Sequence, residues 1–492
     1  MAWTRAALAV IVAGAVGVAV VSGGSSADPH TPAALPGLPP PFLGTAVVGS
    51  GGLTAAIDAY GDVVDLRVPG PAGRALIDNP TDRQAAGTVP ADTGIVPRVS
   101  IDGGPAQPLW RADSVTQRYL PGTNVVRTVA RFDSVRVAVV YAARGASLAC
   151  LTSSTDGGRV SIRSREPAAE SRLGCNDRMA RSTVSAATES ERRWLSRARP
   201  LSPAAPPWAR RMYRRSLLTL RALTDRRTGT VAAGARDGWA YVWPRDAGTA
   251  ALAFATAGYR SEARRIARFL LGLDLGAAAR FHGDGTPVAG REAQGDAAGW
   301  VALAARATGL APLSPARARA DVLPSGASWR NRADYQEGAP GDFLANAIAT
   351  GHPLEPFATS RGLVRKAGNP DSGLDSAAAW AVRPFPRPAS FPAVRRTLLR
   401  LTRDQTRFGI APGAAWPGTD PWTAPTAWTA WSLAALGERR QALRLLGDLR
   451  RASTPAGALP ERLDAHTGVP VSTTPLAWSH AFAILALRQL WP

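Results

Sequence analysis

Two patterns of hydrophobic spacing divide the chain. From about Phe42 to Arg165 apolar residues recur every second position: Val126, Thr128, Ala130 and Phe132 form one such run, and Val135, Val137, Val139 and Tyr141 another. A period of two places alternate side chains on one face of a strand. Gly49 to Gly52 and Gly157-Gly158 break these runs, and Asp156-Gly157 carries a hairpin signal. Many short strands punctuated in this way predict an N-terminal antiparallel β-sandwich.

From Pro206 onward the period lengthens to that of a helix. Trp208, Met212, Leu217, Leu220 and Leu223 make one stripe, Val394, Leu398 and Leu401 a second, and Ala442, Leu445, Leu446 and Leu449 a third. Gly258 and Gly437 stand where helix C-caps belong, each before a fresh helix rich in Arg and Ala. Ten to twelve helical segments are expected up to Trp491, joined by loops bearing Trp, Asp and Pro. No fixed repeat period marks a solenoid. The pattern suits helix hairpins packed in a ring, with functional residues on the loops at one end. The chain thus divides into an N-terminal segment 1–27, a Pro-rich linker 28–41, a β-sandwich 42–190, a linker 191–205 and a helical barrel 206–492.

With 492 residues, 45% hydrophobic and 19% charged, the chain is globular and long enough for two domains. The net charge of +21 comes almost wholly from arginine, Lys366 being the sole lysine. The arginines are dispersed along helices, so nucleic acid is not an expected partner, although the excess would also suit an anionic envelope polymer. The missing lysines also exclude a phosphate loop ending in Gly-Lys. Arg5 and the apolar run Ala6 to Val21 read as an export signal, with Ser25-Ser26-Ala27 as small residues for cleavage. The body is then secreted or held at the cell envelope, with a membrane contact only through an uncleaved anchor. Cys150 and Cys175 would form one disulfide in an oxidising compartment; the alternative is two free buried thiols.

Candidate chemistry gathers at two helix entrances. Trp239, Tyr241, Trp243, Pro244, Arg245 and Asp246 form one cluster. The other pairs Leu459-Pro460-Glu461 with Pro475-Leu476-Ala477-Trp478-Ser479-His480. An indole offers a flat apolar face to a pyranose ring, a carboxylate can act on water, and an Arg fork donates hydrogen bonds in fixed directions. No nucleophilic-serine elbow, zinc motif or dinucleotide loop is present, so no metal site is expected.

These segments resemble glycoside hydrolase family 15, the glucoamylase-type enzymes. Trp243-Pro244-Arg245-Asp246 is similar to the family's Trp-x-Arg-Asp segment, and the Glu461 region to its catalytic-base region. Asp420-Pro421-Trp422, with Trp428 and Trp431 in the helix it enters, resembles the stretch before that base. Gln294-Gly295-Asp296 with Gly299-Trp300 resembles the helix after the second barrel loop, and Phe42 to Val68 the opening of the family's sandwich. Asp334-Tyr335-Gln336-Glu337 is similar to the general-acid segment, except that Gln336 stands where the family has Trp. The resemblance implies an (α/α)6-type barrel and an exo-acting, inverting hydrolase that releases glucose from the non-reducing end of an α-glucan or α-glucoside. Glu337 would be the acid and Glu461 the base, with Trp243, Arg245, Asp246, Trp300, Trp422 and Trp478 binding an oligo- or polysaccharide, a chemistry that requires no redox cofactor. An acid near neutral pH needs burial or a nearby carboxylate, and Asp334 is close enough in sequence to keep Glu337 protonated. The rival expectations are a carbohydrate-binding or regulatory protein on the same scaffold, with the acid function lost, and an envelope scaffold protein that grips anionic polymers.

Overall fold

The computed structural model describes residues 34–78, 94–164, 166–236, 238–310 and 330–492. The expected signal segment 1–27 lies outside the described residues. The described part of the Pro-rich stretch is laid on the body: the Leu35 amide donates to the Tyr60 hydroxyl at 2.8 Å, and that hydroxyl donates to the Pro39 carbonyl at 3.1 Å. Leu35 and Leu38 rest on the core. Two apolar side chains and a buried tyrosine hydroxyl explain why this stretch docks when Pro content alone suggests a spacer.

The first sheet has the strand order Gly44–Gly49, Thr54–Asp58, Val63–Val68, Ile95–Ile101, Gly158–Ser164, with Arg74–Ile77 and Gln107–Pro108 paired at its flanks. The second runs Leu173–Cys175, Ser147–Ser154, Val135–Arg144, Val126–Phe132, Ser114–Tyr119. All ladders are antiparallel except that between Ser147–Ser154 and Leu173–Cys175, where Cys150 faces Cys175 and the two are disulfide-bonded. Alternation is clearest in Val126–Phe132, whose even-numbered positions are buried. Gly44–Gly49 and Thr54–Asp58 are buried throughout. Their other face meets helix Pro207–Ala222: the Thr54 hydroxyl donates to the Ala222 carbonyl at 3.2 Å, and a Cβ at Gly49 would sit 2.5 Å from that oxygen. Any side chain at 49 would push sheet and helix apart.

Nine α-helices follow Pro206 among the described residues, from Pro207–Ala222 to Ala477–Leu490. Sequential neighbours pack as pairs, Pro244–Thr256 on Arg260–Leu271 and Thr423–Ala435 on Arg439–Ala452. The joints are Gly258 and Gly437, at φ +94° and +86°, the left-handed conformation glycine adopts at a helix C-terminus without steric cost. Ala442, Leu445, Leu446 and Leu449 are wholly buried, and each large aliphatic there contributes about 1.5–3 kcal/mol of transfer free energy. Helix Ala477–Leu490 lacks a polar stripe because it is covered all round, packing on Pro207–Ala222, Pro244–Thr256 and Thr423–Ala435.

Two features depart from the expected layout. Helix Arg178–Leu195 runs into the stretch 191–205 expected as linker, because Glu191, Trp194 and Leu195 are buried against the body. A three-stranded sheet, Ala358–Thr359, Gly362–Lys366 and Asn369–Leu374, interrupts the helical half. One continuous apolar core links both halves of the chain.

Candidate active site

Three helices begin around one hollow. Trp243 precedes Pro244–Thr256 in an extended conformation (φ −93°, ψ 130°), and Pro244 at the first helical position needs no amide donor. Trp422 holds the same place before Thr423–Ala435, and Leu476 before Ala477–Leu490. These turns deliver Trp243, Arg245, Asp246, Trp422 and Trp478 to the wall of a cavity of about 210 Å³, together with Trp239, Trp416, Arg291, Glu337 and Glu461. That is smaller than the roughly 300–1,000 Å³ of a drug-sized site, so it suits a single ring-sized group.

Glu461 lies on a tightly stitched loop. Its amide donates to the Thr473 carbonyl at 2.9 Å, and its carbonyl accepts from the Thr423 amide at 3.1 Å. One residue back, the Pro460 carbonyl accepts from the Thr423 hydroxyl. The Leu459 amide donates to His480 Nε2 at 2.9 Å, and His480 Nδ1 lies 2.9 Å from the Ser216 hydroxyl. Burial, then the charge of Arg215, lowers His480 to about 3, so this imidazole is neutral and structural. The Glu461 carboxylate accepts from the Trp239 indole at 3.4 Å and from the Ser472 hydroxyl, with Arg462 at 3.8 Å. Gly234 lets the Trp239 loop close on this one: a Cβ there would lie 2.4 Å from the Thr473 hydroxyl.

Arg245 is buried, with its guanidinium carbon 4.5 Å from the centre of the Trp478 ring, and it donates to Gln294 at 2.6 Å and Asp296 at 3.0 Å. Burial pushes Asp246 up to about 7, opposed by Arg245 and assisted by Glu461 and Asp296. Trp422 meets Trp416 edge-on at 5.0 Å, and the Trp416 indole donates to Asp420 at 3.1 Å.

Glu337 sits on a turn closed by its amide donating to the Asp334 carbonyl at 3.0 Å, and it has φ +56°, a left-handed conformation costing a non-glycine residue about 1–3 kcal/mol. Its carboxylate accepts from the Trp243 indole at 3.1 Å and from Gln294 at 3.2 Å, and it is ion-paired with Arg291. Asp334 does not serve the expected role beside it. The Asp334 carboxylate faces Arg365 instead, at 2.7 and 2.9 Å, so the charge beside Glu337 is the cation Arg291. Gln336 donates to the Tyr335 hydroxyl at 3.0 Å and to Asp375 at 3.2 Å, tying the turn to a carboxyl that burial raises to about 7.

Trp300 does not belong to the hollow. It is fully buried, packed edge-on against Trp380 at 5.1 Å, Phe385 at 5.0 Å and Phe482 at 6.0 Å, because its position in helix Ala297–Thr308 faces the core. Arg291, Ser472 and Trp416 are contributors the sequence reading did not single out. Trp416 had a signal in its Trp-Pro-Gly setting; Arg291 and Ser472 had none. Among the described residues, no group of three or more His, Cys, Asp or Glu side chains is placed to hold a metal ion.

The family model for glycosyl hydrolases family 15 matches residues 207–273, the stretch that carries Trp243, Arg245 and Asp246. Among curated proteins none matches the chain significantly by sequence. A bacterial glucoamylase solved with acarbose superposes with a TM-score of 0.64 at 11% identity, covering 94% of this chain and 96% of that one. The chain therefore shares the fold of that protein. A wild-type glycosidase is similar over 57% of this chain and 97% of its own, with TM-score 0.48 and 20% identity. A glucoamylase from Saccharomycopsis fibuligera is similar over 54% and 89%, with TM-score 0.43 and 14% identity.

Proposed function

We propose that this chain, a protein of the glycosyl hydrolases family 15 type, hydrolyses α-glucosidic bonds from the non-reducing end with inversion at the anomeric carbon. The observation that carries the reading is the pair of glutamates on one ring-sized hollow walled by tryptophan and lined also by Arg245 and Asp246. On the same reading the two sheets act as a sandwich and the helix pairs as an (α/α)6-type ring. The Cys150–Cys175 disulfide supports a place outside the cytoplasm.

A terminal glucose lies against the indole faces of the hollow, where apolar ring faces stack, while Arg245 and Asp246 take its hydroxyls. Glu461 accepts a proton from a water as that water attacks the anomeric carbon. Ser472 and Trp239 hold the carboxylate so that one lone pair stays aimed inward. Glu337 gives its proton to the departing oxygen, and the glycosidic bond breaks. One water is consumed, and glucose and an alcohol are released. Inverting enzymes keep their two carboxyls roughly 6.5–9.5 Å apart to admit that water.

The deciding experiment incubates the protein with maltose, isomaltose, trehalose and maltooligosaccharides and follows the anomer first released by NMR. Appearance of β-glucose that is lost in Glu461→Gln supports the reading. Release of α-glucose, or turnover untouched by Glu461→Gln, overturns it.

A further inference from the structure

A second hollow, of about 470 Å³, adjoins the first and is lined by Gly290, Arg291, Gln294, Ala333, Glu337 and Pro340 among others. The two hollows share only Arg291 and Glu337, so this ion pair is their common wall. The Glu337 carboxylate is met by donors: the Trp243 indole, the Gln294 amide and the Arg291 guanidinium. All three partners donate and so occupy lone pairs of the carboxylate, whereas a general acid must carry a proton of its own to give. Protonating Glu337 in place would also remove the carboxylate ion-paired with Arg291 and leave it only the charge of Glu461 across the first hollow, with the cation Arg280 opposing. Arg280 lies over the Tyr241 and Trp243 rings at 4.7 and 5.7 Å, and Arg291 is 5.9 Å from the Trp243 ring. The other acidic side chain of the second hollow, Glu292, is exposed to solvent and screened there.

We infer that the second hollow receives the leaving group, and that the preferred substrate is an α-glucoside whose leaving alcohol carries a carboxylate or phosphate, which takes Arg291 from Glu337. This rests on the hydrolase reading above and names the substrate class for that site. The anion replaces the Glu337 carboxylate as partner of Arg291, so the exchange conserves charge at the wall. Glu337, released, takes a proton from the solvent acid reaching the open hollow and delivers it to the glycosidic oxygen, and Glu461 returns to solvent the proton it took from the attacking water. The anionic group itself is unchanged in the products. Arg291 is thus a positioning and specificity residue: it touches the leaving group but does not take part in proton transfer.

Two matched pairs test this, maltobionate against maltitol and isomaltobionate against isomaltitol, alike in linkage and open-chain leaving group but different in charge; the α-glucoside of glycerol phosphate against that of glycerol supplies the phosphate arm. The expected result is a kcat/KM at least tenfold higher for the anionic member, falling to about parity in Arg291→Gln. Equal kcat/KM within each pair, or a preference that survives Arg291→Gln, overturns the inference while leaving hydrolysis standing. Calorimetry on Glu461→Gln gives a readout free of turnover. Tighter binding of the anionic member, abolished by adding Arg291→Gln, supports the inference even if no substrate is cleaved, and equal binding overturns it.

Discussion

The two glutamates of the hollow are held in opposite ways. Glu461 is fixed through its backbone on both sides, to Thr473 and Thr423, and its neighbour Leu459 is pinned by a neutral histidine. Its side chain is 13% exposed. Glu337 rides a left-handed turn, is 28% exposed and, besides the Trp243 and Gln294 donors, is ion-paired with an arginine at the boundary with a second hollow. A base that must aim one lone pair at a water gains from rigidity, because misplacement costs rate steeply. A residue that must load and release a proton gains from a partner that can leave. The difference in surroundings therefore separates the two roles more sharply than their shared residue type does.

Substitutions can break this contrast, and the largest effect is expected at the rigid member. Glu461→Gln should lower kcat about 10²–10⁴-fold on every α-glucoside, measured by glucose release, with folding unchanged by circular dichroism. Glu337→Gln should cost a comparable factor on maltose but far less on α-glucosyl fluoride, whose leaving group needs little protonation. Equal losses on both substrates would remove Glu337 as the acid. Trp239→Phe deletes one 3.4 Å donor to Glu461 and should cost about tenfold in kcat with KM little changed, in line with an effect of about 1.4 kcal/mol.

The smallest effect tests a carboxyl pair far from the hollow. Asp58 and Asp62 are fully buried in the first sheet; burial, opposed by backbone donors, leaves Asp58 at about 6, and burial together with the charge of Asp58 raises Asp62 well above its ordinary value. A folded-state pKa above the unfolded one means the native state holds the extra proton. Stability from this pair is then greatest below about pH 4 and falls as pH rises through 6. Asp62→Asn should flatten that decline between pH 4 and 7, read from urea midpoints. His480 acts in the other direction: its lowered pKa costs stability as pH falls below about 6.5. A slope unchanged in Asp62→Asn would assign the pH dependence elsewhere.

Much of the fold was legible because burial leaves a period. The every-second-residue run of Val126–Phe132 and the stripe Ala442, Leu445, Leu446, Leu449 both face the core as their spacing indicates. Helix starts and stops were legible through Pro244, Gly258 and Gly437, whose backbone demands are local. The sheet Ala358–Leu374 was not, since its strands are short and Asn369–Leu374 carries Pro370 and Gly373 among polar residues. Within the site, aromatic residues at helix entrances could be read from position, as with Trp243, Trp422 and Trp478. Trp300 could not, because a tryptophan inside a helix looks alike whether its face meets a hollow or the core. Arg291 was hidden for a related reason: one arginine among many has no periodic or chemical mark, and only its place between two cavities distinguishes it.

The division of the tryptophans into two populations has an optical consequence. Trp110, Trp300, Trp380 and Trp428 are sealed within the interior, whereas Trp239, Trp243, Trp416, Trp422 and Trp478 border the hollow. A sugar ring that fills the hollow changes the polarity around the second set and leaves the first untouched. Occupancy should therefore be visible as a shift in intrinsic emission over a constant background, without a label and without turnover.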